Sequence, residues 1–322
     1  MDIKALQNIE GRAELNDIPV PQPDENEVLI EVELAGICNT DLEVMAGMLD
    51  FEGVMGHEFV GFVREDSGGD LAGSRVVGEI NIPCYTCRRC QKNQYNHCLD
   101  IKALGMRGKD GAFARYMTLP RENVHEVPEA VTDLEAVFTE PIAAAVQIAE
   151  QYHLRPSSGV MVIGDGKLGL IIARTLWAMG LEVEVIGRHR EKLSTLSSFD
   201  IPVHLDSEYD TAGRDIPAVV EATGSTSGLE TALQVAAPEG RIIYKTTTVA
   251  EHKINLARLA IDEIELLGSR CGPFQPALRL LSRNNLKLSG LVTAEYPLNK
   301  GLEALELAAD KDSLKVLLRP DS

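Results

Sequence analysis

The chain lacks any long apolar run: no segment approaches the roughly 20 apolar residues that a membrane-spanning helix needs, so no membrane partner is expected. Its first stretch, MDIKALQNIEGRAEL, has no basic start, apolar centre or small-residue cleavage site, and a cytoplasmic location is the expectation. Basic charge is also short, with 31 Lys and Arg against 49 Asp and Glu and a net charge of -18. Such a surface is well solvated and repels phosphate backbones and anionic headgroups, which argues against nucleic acid or lipid as a partner. Internal repeats and low-complexity segments are absent. What remains is a chain of 322 residues, 44% hydrophobic and 25% charged, long enough for two domains with cores of their own.

Cysteine is scarce too, at six residues, yet four of them crowd into CYTCRRCQKNQYNHC, residues 84–98. In a reducing compartment so tight a cluster is more often metal-binding than disulfide-bonded. The spacing C-x2-C-x2-C-x7-C lets Cys84, Cys87, Cys90 and Cys98 surround one tetrahedral Zn²⁺. Four protein ligands leave no open position, so this site is expected to be structural, holding a lobe with little core of its own. His97, beside Cys98, is the alternative fourth ligand. Upstream, GICNTDLEVMAG and GVMGHEFVG offer Cys38, His57 and Glu58, which are of metal-ligand type and far enough apart in sequence to come from different elements. Taken singly, a buried Cys is more often core and a His-Glu pair more often surface.

The second half changes that weighting. In SSGVMVIGDGKLGLIIARTLWAMGLEVEVIG an apolar strand, Val160 to Ile163, runs into G-x-G-x-x-G at Gly164, Gly166 and Gly169, with Lys167 and Leu168 between. An apolar helix to about Met179 and a second strand, Val183 to Ile186, follow. Strand, glycine turn, helix and strand in that order form the dinucleotide fingerprint: a tight turn, close backbone approach to a pyrophosphate, and close helix–strand packing. Further apolar runs at IPAVVEATGS, GRIIYKTTT and EIELLGSR, separated by helix-like stretches, predict a parallel sheet covered on both faces. Trp177 and Cys271 are expected to pack, and His125, His153, His204 and His252, with no motif around them, to be structural or surface residues.

The order Cys-x-Thr-Asp, Gly-His-Glu, four-Cys lobe, Glu-Pro and dinucleotide fingerprint resembles the zinc-dependent medium-chain alcohol/polyol dehydrogenase family, from about residue 20 to the C-terminus. The resemblance implies an α/β chain of two parts. One is a GroES-like β-barrel catalytic domain at 1–143 and 288–322; the other is a doubly wound Rossmann domain at 144–287. Cys38 and His57 match the family's first two catalytic zinc ligands, and Glu58 a carboxylate that binds the metal or sits just behind it. Glu140 stands where many alcohol dehydrogenases place a third-ligand Cys; a Glu there is similar to the polyol, sugar and threonine branch, in which it holds the metal or the metal's water. Asp41 matches an aspartate that orients His57. Thr40 matches a hydroxyl relay that takes the alcohol proton, and Glu43 replaces the family's frequent His, leaving the relay to end at Glu43 or at bulk water.

At the end of the second Rossmann strand NAD-dependent relatives carry an acid, whereas here Gly187 holds that position, with no carboxylate to bind a ribose 2'-hydroxyl or repel a 2'-phosphate. Arg188, His189 and Arg190 follow, and guanidinium groups match phosphate geometry. NADP(H) is therefore the expected cofactor, with NAD(H) as the alternative, alongside catalytic and structural Zn²⁺. The expected activity is hydride transfer between an alcohol (secondary alcohol, polyol or sugar) and the dinucleotide, by a homo-oligomer, dimer or tetramer. The competing reading is a non-enzymatic zinc-stabilised dinucleotide sensor or scaffold, which needs no open metal site.

Overall fold

The computed structural model describes residues 2–247, 251, 254–283 and 286–320; His252 lies outside them. The chain divides into two compact units, Met1–Glu140 with Ala277–Ser322, and Pro141–Pro276. These divisions fall at 140/141 and 276/277, where the sequence suggested 143/144 and 287/288.

Strand Glu27–Ile37 is the spine of the first unit. It pairs antiparallel with Glu58–Asp66 and Tyr116–Pro120 and, at its far end, with the C-terminal strand Lys315–Arg319, and side chains on both of its faces are buried. Ile30, Val32, Phe59, Val63, Met117, Val316 and Leu318 close over one another in the core of this unit. Each such side chain contributes about 1.5 to 3 kcal/mol by leaving water. The pairing matters for the site: the register sets Gly36 opposite Glu58, and Val316 opposite Ile37. Three distant stretches of sequence thus meet at one end of one sheet.

The second unit is a parallel sheet. Among the described residues its strands lie in the order Val203–Leu205, Glu182–Gly187, Gly159–Ile163, Ile216–Glu221, Ala236–Tyr244, Glu265–Gly268. Numbered along the chain that order is 3-2-1-4-5-6, the doubly wound arrangement, with its direction reversing between Gly159–Ile163 and Ile216–Glu221. Burial on both faces explains the continuous apolar runs read from the sequence. Helix Lys167–Ala178 is buried along most of its length, including Arg174, which lies over the Phe199 ring at 4.9 Å and donates to the Thr195 carbonyl at 2.9 Å. Burial pulls the Arg174 pKa down to about 10. Trp177, expected in the core, is instead 37% exposed and meets Phe199 edge-on at 5.2 Å; its ring lies at the margin of the helix rather than under it. No helix among the described residues is long and apolar enough to cross a membrane.

Candidate active site

The four-cysteine lobe forms as the spacing demands. Sulfur–sulfur distances are 3.5 Å for Cys87–Cys90, 3.9 Å for Cys87–Cys98 and 3.5 Å for Cys98–Cys84. A tetrahedron with metal–sulfur bonds of about 2.3 Å has edges of about 3.8 Å, so the set fits zinc and is far from disulfide geometry. The loop treats its thiols unequally. Backbone N–H groups of Leu99 and Cys90 hold the Cys87 thiol down at about 6, while burial and the neighbouring Cys87 push Cys90 up to about 12. His97 is not part of the cluster, whose four donors are the cysteines.

The second group is Cys38, His57 and Glu58, whose ligand atoms lie within 4.8 Å of one another. Each is placed by an element end. Cys38 is the N-cap of helix Asn39–Met45, with φ -101° and ψ 157°; its N–H donates to Asp41 Oδ2 at 2.8 Å, so Asp41 closes the helix start. The other oxygen of the same carboxylate lies 3.2 Å from His57 Nδ1. Alignment there is too poor for a good hydrogen bond, yet both atoms are buried, which leaves Nε2 as the ring nitrogen for a metal. Burial disfavours an imidazolium, but the Asp41 carboxylate and Cys38 outweigh it and hold the His57 pKa well above its ordinary value. A ring this basic is a strong donor to a divalent cation, which displaces the proton on binding.

Glu58 is turned toward a group the sequence did not single out. Lys315, on the C-terminal strand, makes a buried ion pair with it, the two side chains being 3% and 1% exposed. Burial disfavours the ammonium, but Glu58, Cys38 and Glu140 together leave the Lys315 pKa raised. Gly36 makes room: a Cβ there would stand 2.6 Å from Glu58 Oε2. The one signal in the sequence was a lysine inside the apolar strand KVLLR. Glu140 is not among the three converging donors; it is half-buried in the first turn of helix Thr139–Tyr152, and its charge acts on Lys315. The Cys38 thiol donates to Thr40 Oγ1 at 3.6 Å, and half-buried Glu43 follows one turn later on the same helix.

In the second unit the glycine turn sits where the strand order reverses. Gly164 has φ +127°, and a Cβ on it would lie 2.6 Å from the Ala222 carbonyl oxygen. At Gly169 a Cβ would lie 2.1 Å from the Gly164 carbonyl oxygen, which is the close helix–strand packing expected. Gly166, the N-cap of the twelve-residue helix Lys167–Ala178, is exposed and faces open space, with Lys167 and Leu168 half-buried behind it. That is a cradle into which a pyrophosphate fits. The expectation that the Gly187 corner has no carboxylate is corrected: Asp165, inside the glycine turn, fills it. Asp165 is 7% exposed and accepts the N–H groups of Arg188 at 2.7 Å and His189 at 2.5 Å. Nor is the basic run free: Arg188 pairs with Asp206 at 3.3 Å, and Arg190 with Glu208 at 3.0 Å.

Residues 24–129 match the alcohol dehydrogenase GroES-like domain family. Over nearly the whole chain the sequence is similar to an erythritol/L-threitol dehydrogenase of Mycolicibacterium smegmatis, 29% identical and covering 95% of this chain and 94% of that one. It is also similar to a sorbitol dehydrogenase of Halalkalibacterium halodurans, 28% identical and covering 99% of each. Across its length, then, the chain is similar to the zinc-type medium-chain dehydrogenases, and residues 24–129 carry their GroES-like domain. Its fold agrees with that of an Escherichia coli alcohol dehydrogenase solved with NADH, with a TM-score of 0.91, 25% identity and 99% of each chain covered. The donor sets of the two groups are of a kind that suits zinc, and the glycine turn is of a kind that suits a dinucleotide.

Proposed function

We propose that this dehydrogenase interconverts an alcohol of the polyol or sugar class and its carbonyl partner, with zinc held by Cys38 and His57 and a dinucleotide on the Gly164–Gly169 turn. The observation that carries the proposal is the convergence of Cys38 and His57, with Glu58 beside them and Asp41 behind, since fewer than four protein donors keep a position open whereas the four-cysteine lobe is closed. Zinc, when bound, would act as a Lewis acid that makes a hydroxyl far more acidic, as it lowers the pKa of bound water to about 7, and a bound nicotinamide would supply the hydride acceptor.

The chain's own groups do the rest. Cys38 and His57 supply the soft and borderline donors that suit zinc. Asp41 stands 3.2 Å from His57 Nδ1 while capping the helix that carries Cys38, so one carboxylate lies against both candidate ligands and would favour the Nε2 face of the ring for the metal. Lys315 holds Glu58 by its ion pair, which makes Glu58 the group standing behind the metal in the resting protein and Glu140 the candidate third donor or water-holder. Thr40, hydrogen-bonded to Cys38, is the hydroxyl that takes the alcohol proton, with Glu43 one turn along the helix as the next acceptor. Arg188 and Arg190, on which the expectation of NADP(H) rested, are each paired with an acid, so the proposal takes the cofactor as NAD(H) or NADP(H).

A sensor has no use for a second metal group with a position to spare, which favours catalysis over the scaffold reading. The test is elemental analysis together with a panel of polyols, sugars and simple alcohols, each with NAD⁺ and NADP⁺. Two zinc ions per chain with turnover of at least one polyol is the expected result; one zinc in fully active protein refutes the two-site assignment. Intact zinc and dinucleotide binding without turnover of any alcohol favours the sensor. We carry a cytoplasmic homo-oligomer, dimer or tetramer, as part of the proposal, and solution mass by light scattering tests its assembly.

A further inference from the structure

We infer that Asp165 makes this chain select NAD(H) over NADP(H), supplying from the glycine turn the carboxylate that position 187 lacks. The inference rests on the dinucleotide reading of the Gly164–Gly169 turn. In dinucleotide folds the ribose 2'-oxygen is read at the end of the second strand, by an acid for NAD or by cations for NADP. Here that strand ends in Gly187, and a Cβ built on it would lie 2.6 Å from Asp165 Cβ and 2.7 Å from Asp165 Oδ2. The two positions compete for one volume, so only one of them can carry a side chain. The chain keeps the carboxylate at the corner but delivers it from the neighbouring loop.

Its bonding suits a diol and not a phosphate. Oδ2 accepts the backbone N–H groups of Arg188 and His189 at 2.7 and 2.5 Å, and His189 Nδ1 stands 3.0 Å from Oδ2 and 3.1 Å from Oδ1. Both turn amides at this corner are thereby taken by Asp165. A carboxylate has about four acceptor sites, so Oδ1 retains capacity for a ribose hydroxyl, which donates. A 2'-phosphate carries close to two negative charges at neutral pH and has only acceptors to offer.

The nearby cations are already matched. Arg188 Nε faces Asp206 at 3.3 Å and its Nη2 donates to Ser227 Oγ at 2.8 Å, while Arg190 donates to Glu208 at 3.0 Å. Three carboxylates, Asp165, Asp206 and Glu208, therefore surround two guanidinium groups and the His189 ring. A phosphate would have to share these arginines with the acids and sit beside Asp165. Like charges in contact and a saturated amide pair both act against it.

The test is direct binding of NAD⁺ and NADP⁺ to the zinc-loaded protein by calorimetry, with no alcohol present, so that it does not depend on turnover. Wild type is expected to bind NAD⁺ at least about 10-fold more tightly, the scale of one charge-assisted hydrogen bond. Asp165→Asn should weaken NAD⁺ by about 10-fold and strengthen NADP⁺, narrowing or reversing the ratio. A swap, Asp165→Gly with Gly187→Asp, moves the carboxylate to the strand end and should keep the NAD⁺ preference; a residue that merely closed the turn would not show this. Thermal melting of each variant accompanies the titrations. A wild type that prefers NADP⁺, or an Asp165→Asn protein whose two affinities change in parallel, overturns the inference and leaves the dinucleotide reading standing. Failure of both dinucleotides to bind wild type overturns the dinucleotide reading itself, and the inference with it.

Discussion

Removing the charge of Lys315 while keeping its stem isolates the least forgiving contact around the candidate metal centre. In Lys315→Met the side chain still fills the space beside the Phe138 ring, over which the ammonium lies at 5.8 Å, but Glu58 is left 1% exposed without its cation. Breaking a buried pair in this one-sided way costs about 3 to 5 kcal/mol, because the remaining carboxylate is stranded out of water. At about 2 to 4 °C per kcal/mol for a unit of this size, the melting temperature should fall by roughly 6 to 20 °C. Denaturant unfolding of the zinc-loaded protein measures the loss, and Lys315→Met combined with Glu58→Gln should recover most of it, since neither charge is then left alone. The pH dependence has a definite sign. Lys315 has its folded pKa raised, so its contribution is complete below the unfolded lysine value of about 10.4 and is lost as pH rises through the folded value. Wild type should therefore keep this increment to higher pH than ordinary lysines remain charged, and the Met variant should lack that alkaline step. A Met variant within about 1 kcal/mol of wild type at neutral pH would refute the claim that the pair is energetically coupled.

Cys87→Ser should lower folding yield and thermal stability and release one zinc per chain, measured by elemental analysis beside melting, because the binding energy of a closed site is folding energy. Cys38→Ser and His57→Ala should lose the other zinc and turnover while the melting temperature of the rest changes little; retention of full activity by either would remove the group from the site. Gly36→Ala should destabilise the first unit, because its Cβ would meet Glu58 Oε2 at 2.6 Å, and Glu58→Ala in the same chain should relieve the clash, as a double-mutant cycle in denaturant will show. Glu140→Gln should lower kcat or catalytic zinc affinity by about 10- to 100-fold if the carboxylate serves the metal. As a helix-terminal charge it would instead contribute only about 0.3 to 1 kcal/mol to stability, so unchanged kcat and zinc with a slightly lower melting temperature removes it.

What was legible in the sequence is what a short segment decides. The four cysteines lie within residues 84–98, so the convergence of their sulfurs was readable from spacing alone. The parallel sheet was readable because strands buried on both faces are written as apolar runs, and the observed strands Gly159–Ile163 and Glu182–Gly187 extend the expected ones by a residue or two. Lys315 was not legible in the same way, since its partner lies 257 residues earlier and only the antiparallel pairing of the C-terminal strand with Glu27–Ile37 brings them together. Trp177 misled for a related reason: an apolar helix buried on most sides still has a margin, and periodicity does not say which bulky residue falls on it.

Asp165 shows a subtler limit. It occupies a position that the fingerprint leaves variable, so a motif search passes over it, and the missing acid at Gly187 reads as an absence when the two are taken separately. Only the backbone contact between adjacent parallel strands, where Gly164 N–H donates to the Ile186 carbonyl at 2.8 Å, brings the glycine turn against the strand end and makes the two positions one site. The same logic holds at Asp41, which caps one ligand's helix and supports the other ligand's ring. In both places a single carboxylate accepts from the backbone and also meets a second element, Asp165 at the end of strand Glu182–Gly187 and Asp41 at the His57 ring. Loss of either should therefore register in stability and in ligand affinity together, whereas a residue with only one of these roles would move one measurement and leave the other still.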